Sequence, residues 1–259
     1  MTLFESNPQY REKLTIWRVL SLLPLYGPLA EGHIWRWFAI NIPMDIGAES
    51  NEHFTSDIDL IAKLHDFPNS HEWIYKTWEV KVSLLHRDGR VSSLKAGKTK
   101  RTITQLKAYR NFGAPEVTLL DINVCEDGFL LNNQYPPEEL IYSSHKKAIE
   151  LNLEGFGYQI LPFEHGKNGE EDIGLMAFRN SPFVPQTAFN ILPSHKFGLR
   201  QPFSRLVDDI NKFHENLGDI PRKAFHQIIY CKNCRQFQLI DMKRVQNCPK
   251  CKDDLIIQT

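Results

Sequence analysis

No stretch of this chain holds the roughly 20 uninterrupted apolar residues that a bilayer-spanning helix needs. The best candidate, Leu14 to Ile42, is broken by Arg18, Pro24, Pro28, Glu31 and Arg36, so no membrane partner is expected. Excess charge of either sign is also missing. The 31 Lys and Arg residues balance 31 Asp and Glu, so any attraction for a polyanion has to come from a local patch. Cysteine is scarce, with five in the chain. Four of them fall in two C-x-x-C pairs, which argues against a disulfide scaffold and for a reducing compartment, and Cys125 reads as a small buried apolar residue. The start of the chain, with Glu5, Ser6 and Asn7, lacks the basic opening of a signal peptide, so a cytoplasmic protein is expected. There is no glycine-rich phosphate loop, no Ser-His-Asp order and no convincing metal spacing among the histidines, which leaves nucleotide hydrolysis by a P-loop without support.

The composition of 42% apolar and 24% charged residues over 259 positions is that of a folded globular chain. It suits one sizeable domain and a small satellite, and Gly218 with Pro221 marks the junction, giving domains at 1–220 and 221–259. Asn7-Pro8 opens a helix that Pro24 stops, and Pro28 to about Ala39 reads as a second helix, with Ile34, Trp37 and Phe38 as its buried stripe. From Ser56 the period shortens to two, and residues 56–62 and 73–85 read as paired strands. Thr99 to Phe112 returns to helical spacing and ends at a C-cap glycine, Gly113. Val117 to Val124 is an internal strand covered on both faces. After a turn-rich stretch at 126–143 come a short helix at 145–153, a strand at 157–163, an acidic hairpin near 169–174 and an amphipathic helix at 203–213. The class is α/β, a mixed central sheet flanked by helices.

Strand alternation puts Glu79 and Lys81 on one side of their strand, with Asp59 on the neighbouring strand and Asp57 two residues before it. Two carboxylates from adjacent strands suit Mg²⁺ or Mn²⁺, leaving places for water and a phosphate oxygen. A lysine beside them can orient the attacking water and stabilise charge on the phosphorane. The competing reading makes the same residues surface charges paired with Lys81.

These residues carry a resemblance. Ser56-Asp57-Ile58-Asp59-Leu60-Ile61-Ala62 followed by Trp78-Glu79-Val80-Lys81 resembles the PD-(D/E)xK nuclease superfamily, with Ile58 where the proline of that name would stand. Gln105-Leu106-Lys107-Ala108-Tyr109 is similar to the Q-x-x-x-Y motif on the next helix in its exonuclease branch. The resemblance spans residues 28–163 and implies a restriction-endonuclease-like fold and metal-dependent phosphodiester hydrolysis. It implies Asp59 and Glu79 as metal ligands, Asp57 as a second ligand, Lys81 on the water, and Gln105 and Tyr109 at the edge of the site. An early acidic residue would complete the metal shell. Glu31 is the first choice, with Glu49 and Glu52 as rivals. The substrate would be DNA before RNA, in repair, restriction or phage defence; a catalytically inactive adaptor is the alternative.

Between Gly89 and Phe112 lie Arg90, Lys95, Lys98, Lys100, Arg101, Lys107 and Arg110 without one acidic residue. Directly after the E-x-K strand such a run can hold phosphates, with Lys98, Lys100, Arg101, Lys107 and Tyr109 as the candidate contacts. Trp35, Trp37, Trp73 and Trp78 sit in apolar elements and read as packing.

Cys231-Lys-Asn-Cys234 and Cys248-Pro-Lys-Cys251 are two knuckles thirteen residues apart, the spacing of a zinc ribbon. Four thiolates close a tetrahedral Zn²⁺ site and leave no open position, so the expected role is structural. The basic residues around the knuckles suit nucleic acid or an acidic protein partner, and a homo-oligomer stays open.

Overall fold

The fold is taken from a computed structural model, which describes residues 34–48, 54, 56–65, 72–86, 88, 90–93, 99–125, 138–164, 189–192, 194–218, 226–241 and 247–255. The first helix expected from Asn7, the acidic hairpin near 169–174, and Glu31, Glu49, Glu52, Lys95 and Lys98 lie outside the described residues.

The strands are β1 (Ile34–Pro43), β2 (Asp57–His65), β3 (Trp73–Leu85) and β4 (Val91–Ser93), then β5 (Val117–Cys125), β6 (Gly157–Glu164) and β7 (Phe189–Leu192), and finally β8 (His226–Cys231) and β9 (Gln236–Asp241). The helices are α1 (Thr99–Phe112), α2 (Glu138–Leu153) and α3 (Phe203–Asn216). Among the described residues the strands form one mixed sheet in the order β7-β6-β5-β3-β2-β1-β8-β9, with β4 paired to the far end of β3. β1, β2 and β3 are antiparallel, whereas β5 is parallel to β3, and α1 provides the crossover between them. No helix among the described residues is long and apolar enough to cross a membrane.

The paired strands, α1 and β5 form where the sequence places them. The second helix does not: residues 34–39 belong to β1. Ile34, Trp37 and Phe38 share helical spacing, but Trp37 and Phe38 point to opposite faces of a central strand. Trp37, Ala39, Ile40 and Ile42 are all at most 2% exposed, and a strand buried on both faces shows no alternation that would reveal it. Its aromatic and β-branched residues favour the pleated form. α2 begins at Glu138 rather than at 145, directly after Pro136-Pro137. α3 runs on to Asn216.

One face of the sheet is covered by α1, α2 and α3. Leu106, Tyr109 and Phe112 of α1, Ala148 and Leu151 of α2, and Phe203, Leu206, Val207 and Ile210 of α3 join Val117, Leu119, Tyr158 and Ile160 in a single core. α1 is ended by Gly113 at φ 104°, and a Cβ there would come 2.6 Å from the Arg200 carbonyl oxygen. The C-terminal hairpin β8–β9 is continuous with the sheet, since β8 pairs in parallel with β1 at Ala39↔Ile228 and Ile40↔Ile229.

Candidate functional site

β2 and β3 pair from His65↔Trp73 to Leu60↔Trp78, and the ladder stops there. β2 continues against β1 as far as Asp57↔Pro43, and β3 continues against β5 as far as Leu85↔Cys125. The two strands therefore fork where Asp59 faces Glu79. Across the fork the Asp59 side chain replaces the lost main-chain partner, its Oδ2 accepting the Val80 N–H at 2.8 Å.

Glu79 is 1% exposed, and a carboxylate so buried has to be paired. Lys81 donates to its Oε1, and the Tyr109 hydroxyl donates to its Oε2 at 2.6 Å. The same hydroxyl accepts the Asp59 N–H at 3.2 Å and lies 2.9 Å from the Asp57 carbonyl oxygen. Burial, and then the negative charges of Asp59 and Glu79, hold the Tyr109 phenol well above its ordinary pKa. α1 thus ties the fork together through one hydroxyl.

The structure brings Asp59, Glu79 and Lys81 together around Tyr109. Asp57 is drawn instead to Lys232, which donates to its Oδ2 from the first cysteine knuckle. Gln105 sits half-buried on α1, one turn before Tyr109. As a nucleic-acid contact, Tyr109 has to be corrected: at 0% exposure it offers a ligand no surface. Lys107 pairs with Glu154 at 3.0 Å. Arg110 donates to the Glu154 carbonyl oxygen and lies over the Phe156 ring, and Arg90 pairs with Asp88. Arg101 is exposed, while the side chains of Lys100, Trp35 and Cys125 lie outside the described residues. Trp37 and Trp78 are buried packing residues, with indole N–H groups donating to Asn211 and Gln159; Trp73 is 41% exposed.

A second buried carboxylate escaped the sequence reading. Asp121 of β5 is the register partner of Lys81, so the two point to the same face. It is 6% exposed, and it accepts from Lys147 of α2 at 2.6 Å and from the Tyr158 hydroxyl. A lone carboxylate inside the apolar run Val-Thr-Leu-Leu-Asp-Ile-Asn-Val was the available signal. Nothing local marked Lys147 as its partner.

The cysteines form a closed group. Cys231 Sγ lies 3.6 Å from Cys251 Sγ, and Cys234 Sγ lies 3.5 Å from Cys248 Sγ. These separations far exceed a disulfide and approach the edge of about 3.8 Å that a tetrahedron of metal–sulfur bonds near 2.3 Å requires. The residues after the second cysteine of each knuckle, Arg235 and Lys252, both take positive φ, 53° and 66°, so the two loops turn alike. Desolvation raises Cys248, but hydrogen bonds from the Cys251 and Lys250 backbone outweigh it and bring the thiol down to about 7. The four thiols can hold one metal ion. Among the described residues this is the one group of three or more His, Cys, Asp or Glu side chains whose ligand atoms lie within 4.8 Å of one another.

No family model, characterised protein or solved structure matches this chain.

Proposed function

We propose that the chain is a metal-dependent nuclease of restriction-endonuclease-like architecture that hydrolyses phosphodiester bonds, in DNA before RNA, at the fork between β2 and β3. The observation that carries this reading is the convergence of Asp59, Glu79 and Lys81 where two paired strands part. The run of three antiparallel strands and the short β4, followed by α1 as the crossover to the parallel β5 and closing over the fork, supports it. Asp59 and Glu79 are the residues that would hold Mg²⁺ or Mn²⁺. Such an ion, when bound, lowers the pKa of a water and neutralises phosphate charge. Tyr109 keeps Glu79 oriented, and Lys81, side chain 27% exposed, exchanges its contact with Glu79 for the attacking water or the phosphate. The four cysteines hold a structural Zn²⁺ with no open position.

A second reading is favoured by one observation: both Glu79 oxygens are already engaged, by Lys81 and Tyr109. In that reading the fork is a neutralised remnant, and the protein is an adaptor that binds through its C-terminal hairpin. Incubating purified protein with Mg²⁺ or Mn²⁺ against single- and double-stranded DNA and RNA decides between them. Hydrolysis predicts cleavage that Asp59→Asn and Lys81→Ala each abolish. Absence of cleavage, or cleavage that survives both substitutions, leaves the adaptor. Elemental analysis should find one zinc per chain.

A further inference from the structure

A helix that covers a sheet is expected to bury one apolar stripe and to turn polar residues to water. α1 and α3 do so: Arg101, Thr104 and Asn111 of α1 are exposed, as are Asp208, Lys212 and Glu215 of α3. α2 departs from this pattern. It packs on the core through Ser144, Ala148 and Leu151, each at most 2% exposed, and it carries a second apolar stripe on its opposite side. Tyr142, Ile149 and Leu153 are 79%, 60% and 84% exposed. At about 100° per residue they fall within about 40° of one another and run along about 16 Å of helix. Among the described residues the other large apolar side chains in water, Trp73 and Leu199, lie elsewhere in the chain. Exposed apolar residues scattered singly need no explanation, whereas three in line on one helix mark an interaction surface.

We propose that α2 is the interface of a two-fold symmetric homodimer, in which the outer stripes of two copies of this chain pack antiparallel. The charges beside the stripe select both the occupant and its direction. Lys146 and Glu150 are exposed and stand on the same flank of the stripe, about 40° apart. Within one helix their order, lysine four residues before glutamate, is the less favourable one. An antiparallel pair centred between Lys147 and Ala148 sets Lys146 against the partner's Glu150 and Glu150 against the partner's Lys146, because a two-fold axis exchanges the positions on either side of it. The same centre lays Tyr142 over the partner's Leu153 and brings the two Ile149 side chains together near the axis. A parallel pair would instead set the basic level of His145 and Lys146 against itself, which like charges disfavour. Taken as a large surface patch of roughly 300–600 Å², the stripe buries about 600–1,200 Å² in the pair, the low end of specific interfaces. The dimer therefore exchanges with the monomer and dissociates in the micromolar range. It makes no use of the fork, so it stands whether or not the fork hydrolyses.

The test is sedimentation equilibrium of the full chain with zinc in reducing buffer, across a concentration series. The weight-average mass should rise from one chain toward two. Ile149→Glu and Leu153→Glu, both at exposed positions, should each hold the chain monomeric. Lys146→Glu and Glu150→Lys should each weaken the dimer by about tenfold, since two ion pairs become two repulsions, and the chain carrying both reversals should regain the parent affinity. Arg101→Glu, on the outer side of α1, should leave the mass unchanged. Circular dichroism establishes that each variant is folded. A chain that stays monomeric at every concentration overturns the proposal, and if Leu153→Glu then also lowers its Tm, the stripe is covered from within the chain. A dimer that survives Ile149→Glu and Leu153→Glu overturns it as well, as does one that the single reversals leave unchanged or the double reversal fails to restore.

Discussion

Replacing Tyr109 by Phe removes one oxygen from a fully buried ring and leaves the packing of α1 against the sheet intact. The lost hydroxyl has a single proton, and the 2.6 Å contact assigns it to Glu79 Oε2. A hydrogen bond to a charged group contributes about 1.5–3 kcal/mol. The hydroxyl oxygen also accepts the Asp59 N–H at 3.2 Å, and leaving that donor without its partner costs a further ~1–3 kcal/mol. Glu79 keeps Lys81, which limits the damage, so a total of about 3–5 kcal/mol is expected. For a chain of this size that lowers Tm by roughly 6–20 °C at about 2–4 °C per kcal/mol. Thermal and urea unfolding followed by circular dichroism would read it, with Tyr158→Phe alongside, because Tyr158 makes the equivalent bond to Asp121. A Tyr109→Phe protein that melts within about 2 °C of the parent would mean that the hydroxyl does not organise the fork, and the geometric case for Asp59 and Glu79 acting together would go with it.

With zinc held by the four thiols as proposed, a chelator or Cys234→Ser should release the ion and disorder β8–β9, read by hydrogen exchange at Ile228 and Ile229. Structural zinc contributes an apparent ~10–16 kcal/mol in finger peptides, so exchange there that is unchanged after metal loss would contradict a structural site. Gly113→Ala forces a side chain onto a residue at φ 104° with a Cβ 2.6 Å from the Arg200 carbonyl oxygen; a loss of about 2–4 kcal/mol in urea unfolding is expected from strain and overpacking together. Burial, opposed by the hydrogen bond from Asn211 and reinforced by Asp208, holds the Tyr75 phenol above its ordinary 10.0. Because the folded chain keeps that proton after the unfolded chain has lost it, the contribution is whole below pH 10.0 and lost as the pH rises through the elevated value. Stability measured against pH should accordingly decline on the alkaline side, and Tyr75→Phe should flatten that decline.

What could be read along the chain was whatever depends on near neighbours. The period of two before Asp59 and through Glu79-Val80-Lys81, the helical spacing from Thr99 with Gly113 as its stop, and the twin cysteine knuckles are local patterns, and their elements form where those patterns lie. The order of strands leading to the fork was equally legible from β2 onward. β1 was not, because Trp37 and Phe38 face opposite sides of a strand buried on both, and burial of that kind is decided by elements distant in sequence. The partners of the charged groups followed the same rule. Lys232 meets Asp57 across 175 positions and Lys147 meets Asp121 across 26, contacts that no periodicity encodes. Packing likewise put Tyr109 out of reach of any ligand and made its hydroxyl the link between two strands, since an aromatic ring on a helix shows its burial only once the sheet beneath it is in place.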